Sequence, residues 1–200
     1  MFLTAIELVG TIAFCISGVI VAHQNKMDGV GVIVLAAVTA VGGGTIRDIV
    51  LDLPVFWVYE VKYIYWILFS GIAGIIWLNF VKTMPNKMLE VFDALGLALF
   101  SLTGLMKALE AGIAYEPAVL MGLITGCFGG VARDVLANNI PLIFQKELYA
   151  LCTVLGCVSY LVLKQVGMSD MNCFYSAFLV VFVSRMLAVK YEWRLPVFRA

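Results

Sequence analysis

Two copies of Gly-Gly-x-x-Arg-Asp, at 43–48 and 129–134, place an arginine beside an aspartate inside otherwise apolar sequence. Arg47, Asp48, Arg133, Asp134 and the solitary Arg185 all fall within, or at the shoulders of, apolar stretches. An ionisable side chain at the centre of a bilayer costs at least about 2.5–3.5 kcal/mol on insertion scales, so these groups must be paired or hydrated. Adjacent residues point roughly 100° apart on a helix, which argues against Arg47 satisfying Asp48 directly and favours cross-pairs following the duplication. Two chemistries fit these residues. Either they are ion pairs that fix helix register, or they form constrictions of a polar pore, the carboxylates attracting cations and the arginines limiting or gating their flow.

The glycines ahead of the charges point to the elements that carry them. Gly42, Gly43 and Gly44 stand together near the middle of one apolar stretch, Gly129 and Gly130 at the matching place in another. Such low-propensity runs predict a kink or local unwinding. Freed backbone is tolerated at membrane depth only where it is buried in protein or lines a wet cavity, so these two helices are candidate walls of a pathway. Small residues also recur four apart, as Ala36, Ala40 and Gly44 and as Gly122, Gly126 and Gly130, the spacing that lets helix backbones approach closely in lipid. Thr39 and Thr125 precede the glycines, where their hydroxyls either bond back to their own helix or face the pathway. Glu7, Asp93, Ser17 and Thr103 are weaker signals.

Other chemistries lack material. The single histidine, His23, lies in a loop, which removes histidine triads, HExxH zinc sites and histidine relays. No Walker or GxGxxG pattern occurs, so no nucleotide cofactor is expected. Cys15, Cys127, Cys152, Cys157 and Cys173 have no CxxC spacing and suggest neither a zinc site nor a disulfide framework. Asp48 and Asp134 are expected in opposite membrane halves, which argues against a paired-aspartate protease. No enzyme is expected. Zero net charge and the absence of basic runs argue against nucleic-acid binding.

Composition places the whole chain in lipid: 63% of its 200 residues are hydrophobic and 13% charged, far from the balance of soluble domains, with a mean hydropathy of +1.03. The start of the chain has no basic leader or small-residue cleavage site and reads as a retained first span. Seven stretches approach the roughly 20 apolar residues of a membrane-spanning helix, at about 2–22, 29–51, 63–81, 90–109, 117–137, 147–164 and 171–191. Trp57, Tyr59, Tyr63, Tyr65, Tyr149 and Trp193 read as interfacial anchors. With the amino terminus outside, Lys26, Lys82, Lys87, Lys146, Lys190, Arg194 and Arg199 fall inside, against Lys62, Lys107 and Lys164 outside. That bias favours a cytoplasmic carboxyl terminus in the cell (inner) membrane.

Shifting the chain by 86 residues aligns Leu3, Gly10, Phe14, Gly18, Ala22, Thr39, Gly43, Gly44, Arg47, Asp48 and Tyr63 with identical residues, and sets Glu7 on Asp93. The chain is a duplication. Three helices reverse the direction of travel, so the second unit is inverted. The expected fold is a single all-α transmembrane domain of seven helices, a 3+3 inverted repeat (about 1–81 and 87–167) followed by an unmatched span at 171–191.

GGGTIRDI at 42–49, GGVARDVL at 129–136 and FDALGLALFS at 92–101 resemble the prokaryotic members of the trimeric intracellular cation (TRIC) channel family, a group also labelled glycine-transporter-like. The resemblance spans essentially the whole chain. It implies a homotrimer with a pore in each protomer, lined by the second and fifth spans, through which monovalent cations, chiefly potassium, permeate without a fixed metal site. The family's glycine breaks fall on Gly42, Gly43 and Gly44 and on Gly129 and Gly130, with Phe128 in place of a third glycine. The competing expectation is a carrier for a small zwitterion such as glycine, working by alternating access.

Overall fold

The computed structural model describes residues 2–80, 87–145 and 148–193. Lys82, Lys146, Arg194 and Arg199, used above to orient the chain, lie outside the described residues. Among those described, the ordered structure is helical: α1 (Phe2–Gln24), α2 (Gly29–Val50), a one-turn α3 (Phe56–Tyr59), α4 (Lys62–Phe80), α5 (Met88–Glu110), α6 (Tyr115–Leu136), a 3₁₀ turn (Leu142–Phe144), α7 (Tyr149–Gln165) and α8 (Asp170–Tyr191). Six of these helices are long and apolar enough to cross a membrane. The expected sixth span is the 17-residue α7, which is apolar but shorter. The two short turns were not anticipated. They occupy the polar connections after α2 and α6, and they are what the repeated aspartates hold.

The duplication is visible in how α2 and α6 end. After Asp48, the N–H of Leu53 donates to the Asp48 carbonyl at 2.8 Å, and after Asp134 the N–H of Asn139 does the same to the Asp134 carbonyl at 2.8 Å. Asp52 and Asn138 take left-handed backbone at φ 53° and 57°, a conformation that short polar side chains tolerate at helix ends. Each chain then doubles back toward the aspartate it has just left.

α1 and α5 form the centre, packed on each other, with α2 and α6 crossing beside them and α4, α7 and α8 outside. Gly10 and Gly96 make this possible. A Cβ at Gly10 would sit 3.0 Å from the Phe100 ring, and one at Gly96 would sit 2.4 Å from the Phe14 ring. Those two phenylalanines, repeat mates, are buried and stack with centroids 5.5 Å apart. The outer helices turn Trp66, Phe69, Ile72 and Ile76 of α4 and Leu151, Leu155, Val158 and Val162 of α7 outward. An apolar belt of that kind suits hydrocarbon, where the helical backbone is already satisfied internally.

Candidate functional site

Two buried charge clusters form where α1 meets α2 and where α5 meets α6. In the first, Arg47 reaches Glu7 through Nη1 (2.7 Å) and Asp48 through Nη2 (2.7 Å), while its Nε donates to Asp48 Oδ1 at 2.7 Å. The other Asp48 oxygen accepts the Phe56 N–H at 3.0 Å, fixing the start of α3, and the Phe56 ring lies 5.7 Å from the guanidinium carbon. Tyr63 donates to Glu7 at 3.4 Å. Lys107, at the end of α5, adds a second cation 2.8 Å from Glu7 and 3.7 Å from Asp48.

The second cluster repeats this plan. Arg133 donates to Asp93 through Nη1 at 2.8 Å and to Asp134 through Nε at 2.7 Å and Nη2 at 3.1 Å. Asp134 accepts the Leu142 N–H at 3.1 Å, as Asp48 accepts that of Phe56. Ser17 of α1 accepts from Arg133 at 3.1 Å. Tyr149 and Asp93 meet beside Gly130, where a Cβ would lie 3.2 Å from Asp93 Oδ1 and 3.5 Å from the Tyr149 hydroxyl. Arg185 of α8 is fully buried, its guanidinium carbon 4.6 Å from the centroid of the Tyr149 ring. At 1.5 Å per residue, Glu7 and Ser17 place the clusters about 15 Å apart along α1. Asp48 and Asp134 thus lie at opposite ends of the bundle. Asp134 also borders an open vestibule of about 880 Å³ lined with Gln24, Lys87, Glu90, Asn139, Gln145 and Glu192.

Two expectations are corrected. Each arginine does pair with the aspartate next to it: in the last helical turn the flexible arginine stem folds back, so Nε reaches an Oδ1 that the Cβ directions alone would put out of reach. The cross-helix partners are Glu7 and Asp93, within each repeat, and these were read as weak signals although their shared register was visible. Lys107, counted only as a loop charge, belongs to the first cluster; its repeat mate is Val21, so the duplication gives no hint of it.

The second correction concerns the glycines. α2 and α6 are unbroken helices from Gly29 to Val50 and from Tyr115 to Leu136, with no unwinding. The glycines instead let the two backbones touch. A Cβ at Gly43 would lie 2.0 Å from the Thr125 carbonyl oxygen, and one at Gly129 would lie 2.5 Å from that of Thr39. Gly44 admits the Phe56 ring, whose nearest carbon would be 2.5 Å from an added Cβ, whereas Gly42 has ordinary contact room, 3.6 Å from the Gly129 Cα. The Thr39 and Thr125 hydroxyls donate back to the Leu35 and Met121 carbonyls at 2.6 and 2.7 Å, which keeps them bonded to their own helices at this crossing.

The chain is similar to known membrane proteins along nearly its whole length. A family profile described as "Glycine transporter" matches residues 4–79 and again 90–165. The inner membrane protein YadS of Escherichia coli K12 is 39% identical over 202 residues, covering 96% of this chain and 94% of that protein. A membrane protein of Vibrio cholerae is 38% identical over 194 residues, covering 96% and 81%; both carry the designation UPF0126. Among solved structures, the trimeric intracellular cation channel orthologue from Rhodobacter sphaeroides superposes with a TM-score of 0.90 at 33% identity, covering 96% of this chain and 98% of that one. A prokaryotic TRIC channel in 0.5 M KCl superposes with a TM-score of 0.89, also at 33% identity, covering 98% and 99%. Identity at this level over this length carries more than fold. The chain therefore belongs to the glycine transporter family of membrane proteins, and it shares its structure with the prokaryotic trimeric intracellular cation channels.

Proposed function

We propose that this protein is a passive channel for monovalent cations, potassium foremost, with one pathway through each protomer of a homotrimer in the cell membrane. Seven spans are required, α7 included, with the second three-helix unit inverted relative to the first, the amino terminus outside and the carboxyl terminus cytoplasmic. One observation carries the reading: two near-identical charge clusters stand at opposite ends of the α2–α6 crossing, one of them open to a polar vestibule through Asp134. Carboxylates at each end concentrate cations, and the arginines hold those carboxylates in place. Arg47, Asp48, Arg133 and Asp134 would form the two constrictions; Thr39, Gly42, Gly43, Gly44, Thr125, Gly129 and Gly130 would form the waist between them. At that waist α2 and α6 lie in contact, the Gly43 and Gly129 positions resting against opposing carbonyls. Flux requires α2 and α6 to part there. The structural likeness to cation channels supports this reading, while the family's description supplies the competitor, a glycine carrier that rocks its two repeats.

Recording from the purified protein in a planar bilayer under a potassium gradient tests it, with glycine added as a separate condition. Discrete steps reversing near the potassium equilibrium potential are the expected result. Electrical silence together with saturable glycine uptake into liposomes would replace the channel with the carrier.

A further inference from the structure

α8 has no partner in the duplication, yet it delivers a fully buried arginine to the second cluster. We propose that Arg185 is the counter-cation of that cluster and sets its net charge, and hence how strongly it favours cations; this rests on the channel reading above. The count of charges leads there. The first cluster holds two carboxylates, Glu7 and Asp48, against Arg47 and Lys107. Among the described residues, the second holds Asp93 and Asp134 against Arg133 in its direct ion pairs, one cation short. A buried site with a net negative charge is costly, and a nearby element is the natural source of the missing charge.

Arg185 is placed to supply it. Its guanidinium carbon lies 4.6 Å from the Tyr149 ring centroid, and the Tyr149 hydroxyl lies beside Asp93 at Gly130. A guanidinium over a ring face is held by the ring quadrupole. Arg185 therefore acts as a positioning residue, through Tyr149, as well as a charge. Lys107 does the corresponding work at the other end of the bundle by direct contact, so the unmatched helix gives the second cluster the charge that α5 gives the first.

The test is a double-mutant cycle on Arg185 and Asp93, read as thermal stability of the detergent-purified protein and as single-channel current. Arg185→Gln is expected to leave the cluster with one net negative charge, to lower the melting temperature, and to raise cation-over-anion selectivity several-fold with a new rectification of the current–voltage curve. Arg185→Lys should restore the wild-type rectification. Arg185→Gln combined with Asp93→Asn is neutral again and should recover stability beyond additivity, so the cycle is readable even where the single variant folds poorly. Additive losses of stability, or a well-folded Arg185→Gln with wild-type selectivity and rectification, would overturn the proposal. A silent wild-type protein would sink the channel reading instead, and the stability cycle would still decide whether Arg185 balances Asp93.

Discussion

The two charge clusters share a blueprint and differ in who completes it. Arginine, adjacent aspartate, an acid from the preceding helix, a backbone N–H eight residues on and a tyrosine recur at each end. The extra cation does not. Lys107 enters the first cluster from α5 with its side chain 18% exposed, whereas the second cluster is flanked by a wholly buried Arg185 and by Ser17 of α1. A duplicated unit thus fixes the common network, and single residues that the duplication does not repeat, Lys107 of α5 and Arg185 of α8, make the two ends differ.

That contrast predicts unequal costs for equivalent changes. Arg133→Ala removes the direct partner of Asp93 and Asp134 in a buried site, and breaking such a pair is expected to cost about 3–5 kcal/mol. Arg47→Ala should cost clearly less, because Lys107 stays within 2.8 Å of Glu7 and 3.7 Å of Asp48. Denaturation of the two variants in the same detergent measures the gap; equal losses would mean that Lys107 does not stand in for Arg47, and the comparison would fail.

At the waist the two repeats should behave alike. Gly43→Ala and Gly129→Ala each drive a methyl group into an opposing carbonyl, at 2.0 and 2.5 Å before relaxation, and overpacking of this kind costs about 1–3 kcal/mol. On the proposed channel reading the same variants should reduce potassium flux in liposomes, because they disturb the crossing at which that reading has α2 and α6 part. A large loss for one and none for the other would show that the crossing is less symmetric than its contacts.

Much of this was legible without coordinates. The long apolar helices, the 86-residue duplication and the membrane setting followed from composition and periodicity, because hydropathy and repetition are local signals. The charged site was half legible: Arg47, Asp48, Arg133 and Asp134 stand out in apolar sequence, and Glu7 falls on Asp93. What could not be read was three-dimensional. Whether a glycine breaks a helix or lets another helix touch it depends on the neighbour, and the carbonyls of Thr125 and Thr39 are such neighbours. Lys107 and Arg185 join their clusters only through packing of α5 and α8, which no spacing encodes.

Lys107→Gln gives a smaller test of the first cluster. Arg47 still holds Glu7 and Asp48, and a partly exposed lysine contributes little, so a loss of about 1 kcal/mol or less is expected. Its electrical signature should be a change of rectification opposite in sense to that of Arg185→Gln, since the clusters lie at opposite ends of the bundle. A shift in the same sense would place both cations on one side of the barrier.

The smallest expected effect separates neighbours on one helix. Gly42 is the first-repeat position whose second-repeat mate is Phe128, so this site has already accepted a side chain on one side of the duplication. A Cβ at Gly42 would make ordinary contacts, 3.6 Å from the Gly129 Cα and 3.7 Å from the Phe128 ring. With no clash to offset it, the smaller conformational entropy that alanine loses on folding should make Gly42→Ala stabilising by about 0.5–1 kcal/mol. Gly43→Ala, one residue on, should destabilise. Melting temperatures of the two variants settle the matter through their opposite signs, because a general intolerance of side chains in this glycine run would lower both.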